Sequence, residues 1–141
     1  MRLWHKALIK YLPKSQLISQ WRELNSIYTK QDNHILINYI YNYPKVYLYA
    51  YSQIVINEMT NREYKINKWD NYNEYFNDLI NEDLDEDYLD ELSYNEHNNQ
   101  YFMICYYNLM EKHLRGQKDF SDEIWNKIIE LKENLYDLHN W

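Results

Sequence analysis

Gln16-Leu17-Ile18-Ser19-Gln20-Trp21-Arg22-Glu23-Leu24 is the stretch from which the fold can be read. Leu17, Trp21, Leu24 and, one turn further on, Tyr28 follow the i, i+4, i+7, i+11 spacing of a single helix face, which predicts a buried amphipathic helix from about Lys14 to Tyr28, with Ser15 as its amino-terminal cap. Gln16, Gln20 and Glu23 form a separate polar row beside that stripe, and Arg22 projects from another flank. By their chemistry alone, Arg22 and Glu23 fit a solvated helix shoulder or a surface ion pair of little energetic weight.

Working outward, the amino-terminal stretch mixes Arg2, His5, Lys6 and Lys10 with Leu3, Trp4, Leu8, Ile9 and Leu12 and ends at Pro13, which predicts an ordered arm or short helix packed on the core. Thr29 to Asn33 reads as a turn. His34 to Tyr41 fits a short helix or a strand, because Ile and Tyr also favour strands. Pro44 suits the first turn of a helix running to about Asn61, with Tyr47, Ala50, Tyr51, Ile54 and Glu58 along one side. Trp69, Tyr72, Phe76 and Leu79 suit a short helix over 70–80. The acidic run within 78–96 reads as solvated or loosely ordered. Phe102, Cys105, Tyr106, Leu109 and His113 mark a helix over 98–114 that Gly116 stops. A last helix opens at Ser121, with Asp122 and Glu123 at its positive end and a stripe of Ile124, Ile128, Leu131 and Leu135. The expectation is all-α: a compact, non-solenoid helical bundle forming a single domain over residues 1–141.

Composition limits what such a bundle can do. The 141 residues include one Gly, two Pro and 17 Tyr, so turn-formers are scarce and large side chains with polar tips are plentiful. With a single glycine, the chain has no P-loop and no dinucleotide fingerprint, and G-x-S-x-G is absent as well. None of His5, His34, His97, His113 or His139 falls in a metal-ligand spacing, so neither a metal nor a cofactor is expected. Cys105 lies in an apolar run and reads as a buried structural thiol. No 18-residue apolar run and no signal peptide interrupts this pattern, which favours a soluble cytoplasmic protein with no membrane partner. No oligomeric state is read from the sequence.

The net charge of −7 is unevenly spread. Residues 1–68 hold ten Lys/Arg against four acids, whereas residues 69–141 hold five against eighteen. Such a dipolar chain has one end suited to a polyanion, although charge runs are also ordinary solvated surface.

Met1-Arg2-Leu3-Trp4-His5, Leu8-Ile9-Lys10-Tyr11-Leu12-Pro13, Gln20-Trp21-Arg22-Glu23-Leu24, Asn33-His34-Ile35-Leu36 and Glu58-Met59-Thr60-Asn61-Arg62-Glu63-Tyr64 together resemble the pyrimidine dimer DNA glycosylase family, the phage endonuclease V-like enzymes, and especially its bacterial branch. His97-Asn98-Asn99-Gln100-Tyr101 and Cys105 to Lys112 extend the likeness. The resemblance implies an all-helical fold and a DNA repair glycosylase with a coupled AP-lyase step on pyrimidine dimers or abasic sites in damaged duplex DNA. It implies that the α-amine of the chain attacks the sugar C1′ and forms a Schiff base. An α-amine titrates near about 7.7–8.0, so a useful neutral fraction exists at physiological pH.

With arginine at position 2, Met1 is expected to be retained and to supply that amine. Glu23 matches the family's catalytic glutamate, Arg22 an arginine on the DNA backbone, and Arg2 a basic residue just after the amine. His34 falls on a family histidine and is a possible site residue. The basic, aromatic tail of the family is not reproduced in Leu135 to Trp141. DNA binding would therefore rest on Arg2, Lys6, Lys10, Lys14 and Arg22, with Lys30 and Lys45 as further candidates and Trp141 as a candidate base-stacking group. Two other readings compete: a non-catalytic helical module that binds nucleic acid or protein, and a protein-binding role for the acidic segment 82–96.

Overall fold

The buried stripe Leu17, Trp21, Leu24 and Tyr28 organises the molecule as its spacing predicts. A computed structural model describes residues 1–136, so Trp141 and His139 lie outside the described residues. The helix carrying the stripe, α1, spans Lys14–Lys30. It runs two residues past the expected end, closed by Gln31 in the left-handed region (φ 50°). Its amino-terminal cap position is Pro13 rather than Ser15. Ser15 instead donates from its backbone N–H and its hydroxyl to Asp119, 2.7 and 2.6 Å away, tying the start of α1 to the far end of the sequence.

Against α1 pack α2 (Lys45–Asn61) and α3 (Trp69–Tyr75), and the chain continues through α4 (Asn77–Ile80), α5 (Glu86–Glu91), α6 (Asn99–Leu114) and α7 (Asp122–Tyr136). Two 3-10 turns, Lys6–Tyr11 and Asn38–Asn42, complete the order. The all-α expectation holds, and no strand occurs among the described residues. The stretch near residue 38 is helical because Ile37 and Ile40, three apart, both turn into the core.

Several expected faces and ends shift for physical reasons. On α2 the expected Ala50 and Tyr51 are buried, but so are Leu48, Ser52, Val55, Ile56 and Met59, while Tyr47, Ile54 and Glu58 are only half-buried, because α2 packs against α1, the first 3-10 turn and α5 together. The single helix expected over 70–80 breaks at Phe76 (φ −106°, ψ 23°), whose fully buried ring is an anchor between α3 and α4. Part of the acidic run is ordered: Asp85 caps α5, Glu86 and Asp87 sit in its positive first turn, and half-buried Leu84 and Leu89 border a hollow against α2. Gly116 (φ +80°) ends α6 as expected, with the Gln117 and Gly116 N–H groups donating to the Lys112 and His113 carbonyls. Leu135, expected on the stripe of α7, is 40% exposed, whereas Ile128 of the same stripe is fully buried.

Two imidazoles meet inside the bundle, His5 buried and His97 half-buried. His5, whose Nδ1 accepts from the Ala7 N–H, stacks on His97 at 5.9 Å and meets Phe102 edge-on. His97 in turn bonds the Tyr39 hydroxyl and stacks on Tyr101. Burial pushes His5 down to about 4, opposed by a backbone hydrogen bond at His97 and helped by Lys6. Burial, then His5 and Lys6, push His97 down to about 3.

Both values lie below the 6.5 of an unfolded imidazole, so on acidification the unfolded chain binds protons first. The stability present above about pH 6.5 is therefore lost as pH falls toward those folded-state values, by roughly 2 kcal/mol per imidazole at about pH 5. Urea melts should place the unfolding midpoint distinctly lower at pH 5 than at pH 7. His97→Phe should flatten that dependence, and an unchanged slope in the variant would contradict it.

Among the described residues no helix is long and apolar enough to cross a membrane.

Candidate active site

The first residues of the chain are held by side chains rather than by a helix of their own. Gln20, with no exposed surface, sits under the arm: its Oε1 accepts from the Trp4 N–H (2.8 Å) and the Tyr51 hydroxyl (2.9 Å), and its Nε2 donates to the Arg2 carbonyl (3.0 Å). The single Tyr51 hydroxyl proton is shared with the Trp4 carbonyl, the nearer acceptor at 2.6 Å, and the Tyr101 hydroxyl donates to the Leu3 carbonyl. The backbone of residues 2–4 thus finds partners on α1, α2 and α6 at once, as buried peptide groups require. At the carboxyl end of the arm, Arg62 donates to the Leu12 and Lys10 carbonyls while pairing with Glu58 at 2.6 Å.

The same amide reaches the carboxylate. Gln20 Nε2 lies 3.2 Å from Glu23 Oε2, one turn along α1, so a single buried side chain fixes both the arm and Glu23. Gln16, one turn the other way, exchanges amide hydrogen bonds with Gln117. The polar row visible in the sequence is therefore a built hydrogen-bonding edge, not a solvated shoulder.

Between these parts opens a cleft of about 270 Å³. The arm contributes Met1, Arg2 and Trp4 to it, α1 contributes Gln16, Ser19 and Glu23, the segment before the second 3-10 turn contributes Leu36, and α6 contributes Asn108 and Lys112. Two larger hollows exist: one of about 550 Å³ beside Tyr28, Lys45 and Asn71, and one of about 360 Å³ between α2 and α5. Size does not select the site. The smaller cleft is where an amine, a half-buried carboxylate and cationic side chains converge.

Charge and burial compete at Glu23. Burial pushes its carboxyl above the ordinary range, while the chain's own α-ammonium, Arg22 and Arg2 draw it back down. The net result is a raised carboxyl, better suited than an exposed one to exchange a proton near neutral pH. Arg2 also faces Tyr101 and Cys105. Cys105 is buried as expected, and burial pushes its thiol up against the opposing pull of the His5 backbone, Tyr101 and Arg2.

Of the residues singled out in the sequence, Met1, Arg2 and Glu23 share the cleft, and Arg22 stands exposed beside Glu23 on α1. Lys6 is turned toward α5, donating to the Asp90 carbonyl at 3.2 Å. Lys10 lies over the Tyr11 ring and lines a different hollow with Leu12 and Arg62, and Lys14 lies over Tyr64. His34 is exposed outside the lining, but Leu36, two residues on, is inside it. Sequence reading missed Ser19, Leu36, Asn108 and Lys112. The last two come from α6, where the family likeness of Cys105 to Lys112 and their four-residue spacing on one helix face were the signals that could have found them. Among the described residues no cluster of three or more His, Cys, Asp or Glu is gathered to hold a metal ion.

No curated protein and no solved structure matches the chain. Residues 1–71, just over half of the chain, match the pyrimidine dimer DNA glycosylase family. That span covers the arm, α1 and α2, and so includes Met1, Arg2, Gln20, Glu23 and Tyr51, while α6 completes the cleft from outside it. The arm held beside Glu23 through Gln20 and Tyr51, and a match that spans all of these residues and just over half of the chain, lead to one conclusion: the chain belongs to the pyrimidine dimer DNA glycosylase family.

Proposed function

We propose that residues 1–141 act as one DNA repair glycosylase unit with a coupled AP-lyase step, in the cytoplasm, on duplex DNA carrying a pyrimidine dimer or an abasic site. The observation that carries this reading is the convergence of the Met1 amine, Arg2 and Glu23 in one cleft with Lys112 opposite.

In this mechanism the neutral Met1 amine donates its lone pair to C1′ of the damaged nucleotide. The C1′–N bond breaks and its electron pair leaves with the base. Loss of a proton from the attacking nitrogen and opening of the sugar ring give an imine between Met1 and C1′. A carboxylate then removes a proton from C2′, the electrons form the C2′–C3′ double bond, and the 3′ phosphate departs with the C3′–O pair. Water finally hydrolyses the imine and frees the amine. Glu23 is the carboxylate within reach of such a sugar, and its raised proton affinity fits both the acceptance at C2′ and the return of a proton during ring opening. Before elimination, its negative charge stabilises the cationic sugar.

Arg2, Arg22 and Lys112 provide cations for the flanking phosphates, and Lys6, Lys10 and Lys14 widen the basic surface of the first half. His34 belongs to the loop that faces the same substrate. Each of these cations that neutralises a phosphate adds to the salt dependence, and on an acidic chain with so few of them affinity should be high enough for turnover only at low salt.

Incubation with duplexes carrying a single abasic site, or a single cyclobutane dimer, tests the reading. Strand scission on both substrates is expected, falling steeply as salt rises. Folded protein that cleaves neither at low salt would leave a non-catalytic binding module as the better account.

A further inference from the structure

The loop beside the cleft has a feature that the reaction above does not use. Ile35 is 79% exposed and Leu36 43% exposed, although both are large aliphatic residues in a protein with ample core to receive them. Neither is at the tip of a loose loop. Asp32 Oδ1 accepts the His34 N–H at 3.0 Å, His34 Nδ1 accepts the Leu36 N–H at 3.1 Å, and the His34 carbonyl accepts the Ile37 and Asn38 N–H groups, both at 2.9 Å. Ile37 directly after them is fully buried and anchors the turn. The backbone is thus pinned on both sides of two side chains that point outward.

Their position gives this exposure a purpose. Leu36 lines the cleft that holds Met1 and Glu23, and Ile35, the residue before it in the same pinned turn, is the more exposed of the two. On the other wall, Ile104 stands one helical turn before Asn108 and two before Lys112, is 50% exposed, and so continues the row that enters the cleft. An apolar rim at the mouth of a polar, cationic cleft fits a ligand that is charged at its edge and apolar in its interior. Duplex DNA has that character, with phosphates outside and stacked bases within.

We propose that Ile35, supported by Leu36, is a wedge that enters the base stack next to the reacting nucleotide. A sugar C1′ in an intact stack is not open to an amine held on a rigid arm, so the adjoining base step must part. Inserted aliphatic side chains are an established physical means of parting such steps, the lost stacking being offset by the contacts the bent duplex then makes. The proposal rests on the functional reading above, since it takes DNA as the ligand of the cleft.

The test uses the full chain and a duplex containing a tetrahydrofuran abasic analogue, which cannot form an imine, with 2-aminopurine as its neighbour. Binding of the unsubstituted protein should raise 2-aminopurine fluorescence several-fold through unstacking. At saturating protein, Ile35→Ser should lose more than half of that rise, Ile35→Leu should keep it, and Leu114→Ser, which changes an equally exposed apolar residue at the end of α6, should keep it too. Because Ile35 is exposed, the serine variant should melt at the temperature of the unsubstituted protein. A full rise with Ile35→Ser overturns the wedge. So does a dimer in sedimentation that Ile35→Ser dissociates without altering the fluorescence, which would assign the patch to a second copy of the chain. Borohydride trapping of the unsubstituted protein on a single-stranded abasic oligonucleotide reports separately on the functional reading. An adduct there together with an unchanged Ile35→Ser signal rejects the wedge alone, whereas no adduct and no duplex binding reject the reading beneath it.

Discussion

Glu23→Gln is expected to lower the rate of strand scission at an abasic site by about 100- to 10,000-fold, the range that a positioned proton-transfer group contributes. The substitution is nearly isosteric. A glutamine oxygen at position 23 can still accept from Gln20 Nε2, so the hydrogen bond that sets the side chain survives. What is lost is the capacity to take a proton from C2′ and the negative charge beside the cationic sugar. DNA affinity should stay level or tighten, because a carboxylate is removed from among Arg2, Arg22 and the α-ammonium.

The sign of the stability change is also fixed. Burial raises the folded-state pKa of Glu23 above its unfolded value, so the stability it contributes is fully present below the unfolded value and is lost as pH rises through the folded one. At neutral pH the ionised carboxylate is a liability to folding, and Glu23→Gln should be at least as stable as the unsubstituted chain. A variant that loses activity while keeping or gaining stability marks a group retained for its chemistry. Rates in chemical quench, a salt-matched binding titration and a urea melt check the three statements together. A variant that keeps its scission rate would remove Glu23 from the mechanism.

Gln20→Met is expected to disable the site from beneath. Methionine fills a similar volume but leaves the buried Trp4 N–H and the half-buried Arg2 carbonyl without their partner. Stranded buried groups cost about 1–3 kcal/mol each, so a loss of roughly 2–5 kcal/mol in urea unfolding is expected. A structural role alone would stop there. As a positioning residue for the amine and Glu23, Gln20 should also lower kcat more than it raises KM in conditions where the variant is fully folded. Small misplacements of reacting groups have large effects on rate. Tyr101→Phe, which removes one bond from the Leu3 carbonyl on the other side of the arm, should show the same pattern more weakly. A Gln20→Met protein that is less stable but unchanged in kcat would reduce Gln20 to a core amide.

These two residues also show how far the sequence could be read. The stripe of Leu17, Trp21, Leu24 and Tyr28 predicts α1 because one apolar face at helical spacing has one burial solution. The polar row of Gln16, Gln20 and Glu23 is legible as a row for the same reason. Its meaning is not, because the partners that turn Gln20 into a clamp, Tyr51 and the Arg2 and Trp4 backbone, come from other elements.

Local composition was ambiguous where Ile and Tyr alternate near residue 38, and only the burial of Ile37 and Ile40 decides for a helical turn. Ser15 is a good cap by type, but its bond to Asp119, more than a hundred residues away, overrides that local preference. Asn108 and Lys112 fall in a stretch that shares the family likeness, but nothing in it places their side chains against the amino terminus. Packing of α6 beside the arm, through Tyr101, brings them there. Acidity was equally misleading as a whole-chain quantity: the cations around Glu23 define the cleft, whatever the net charge of −7.

The most direct test of the amine mechanism is borohydride reduction of the unsubstituted protein, with its native amino terminus, on abasic-site duplex, followed by proteolysis and mass mapping of the cross-linked peptide. The account predicts an adduct on the α-nitrogen of Met1, abolished when that amine is acetylated beforehand. An adduct on an internal lysine such as Lys112, or no adduct from folded protein with a free amine, would contradict it.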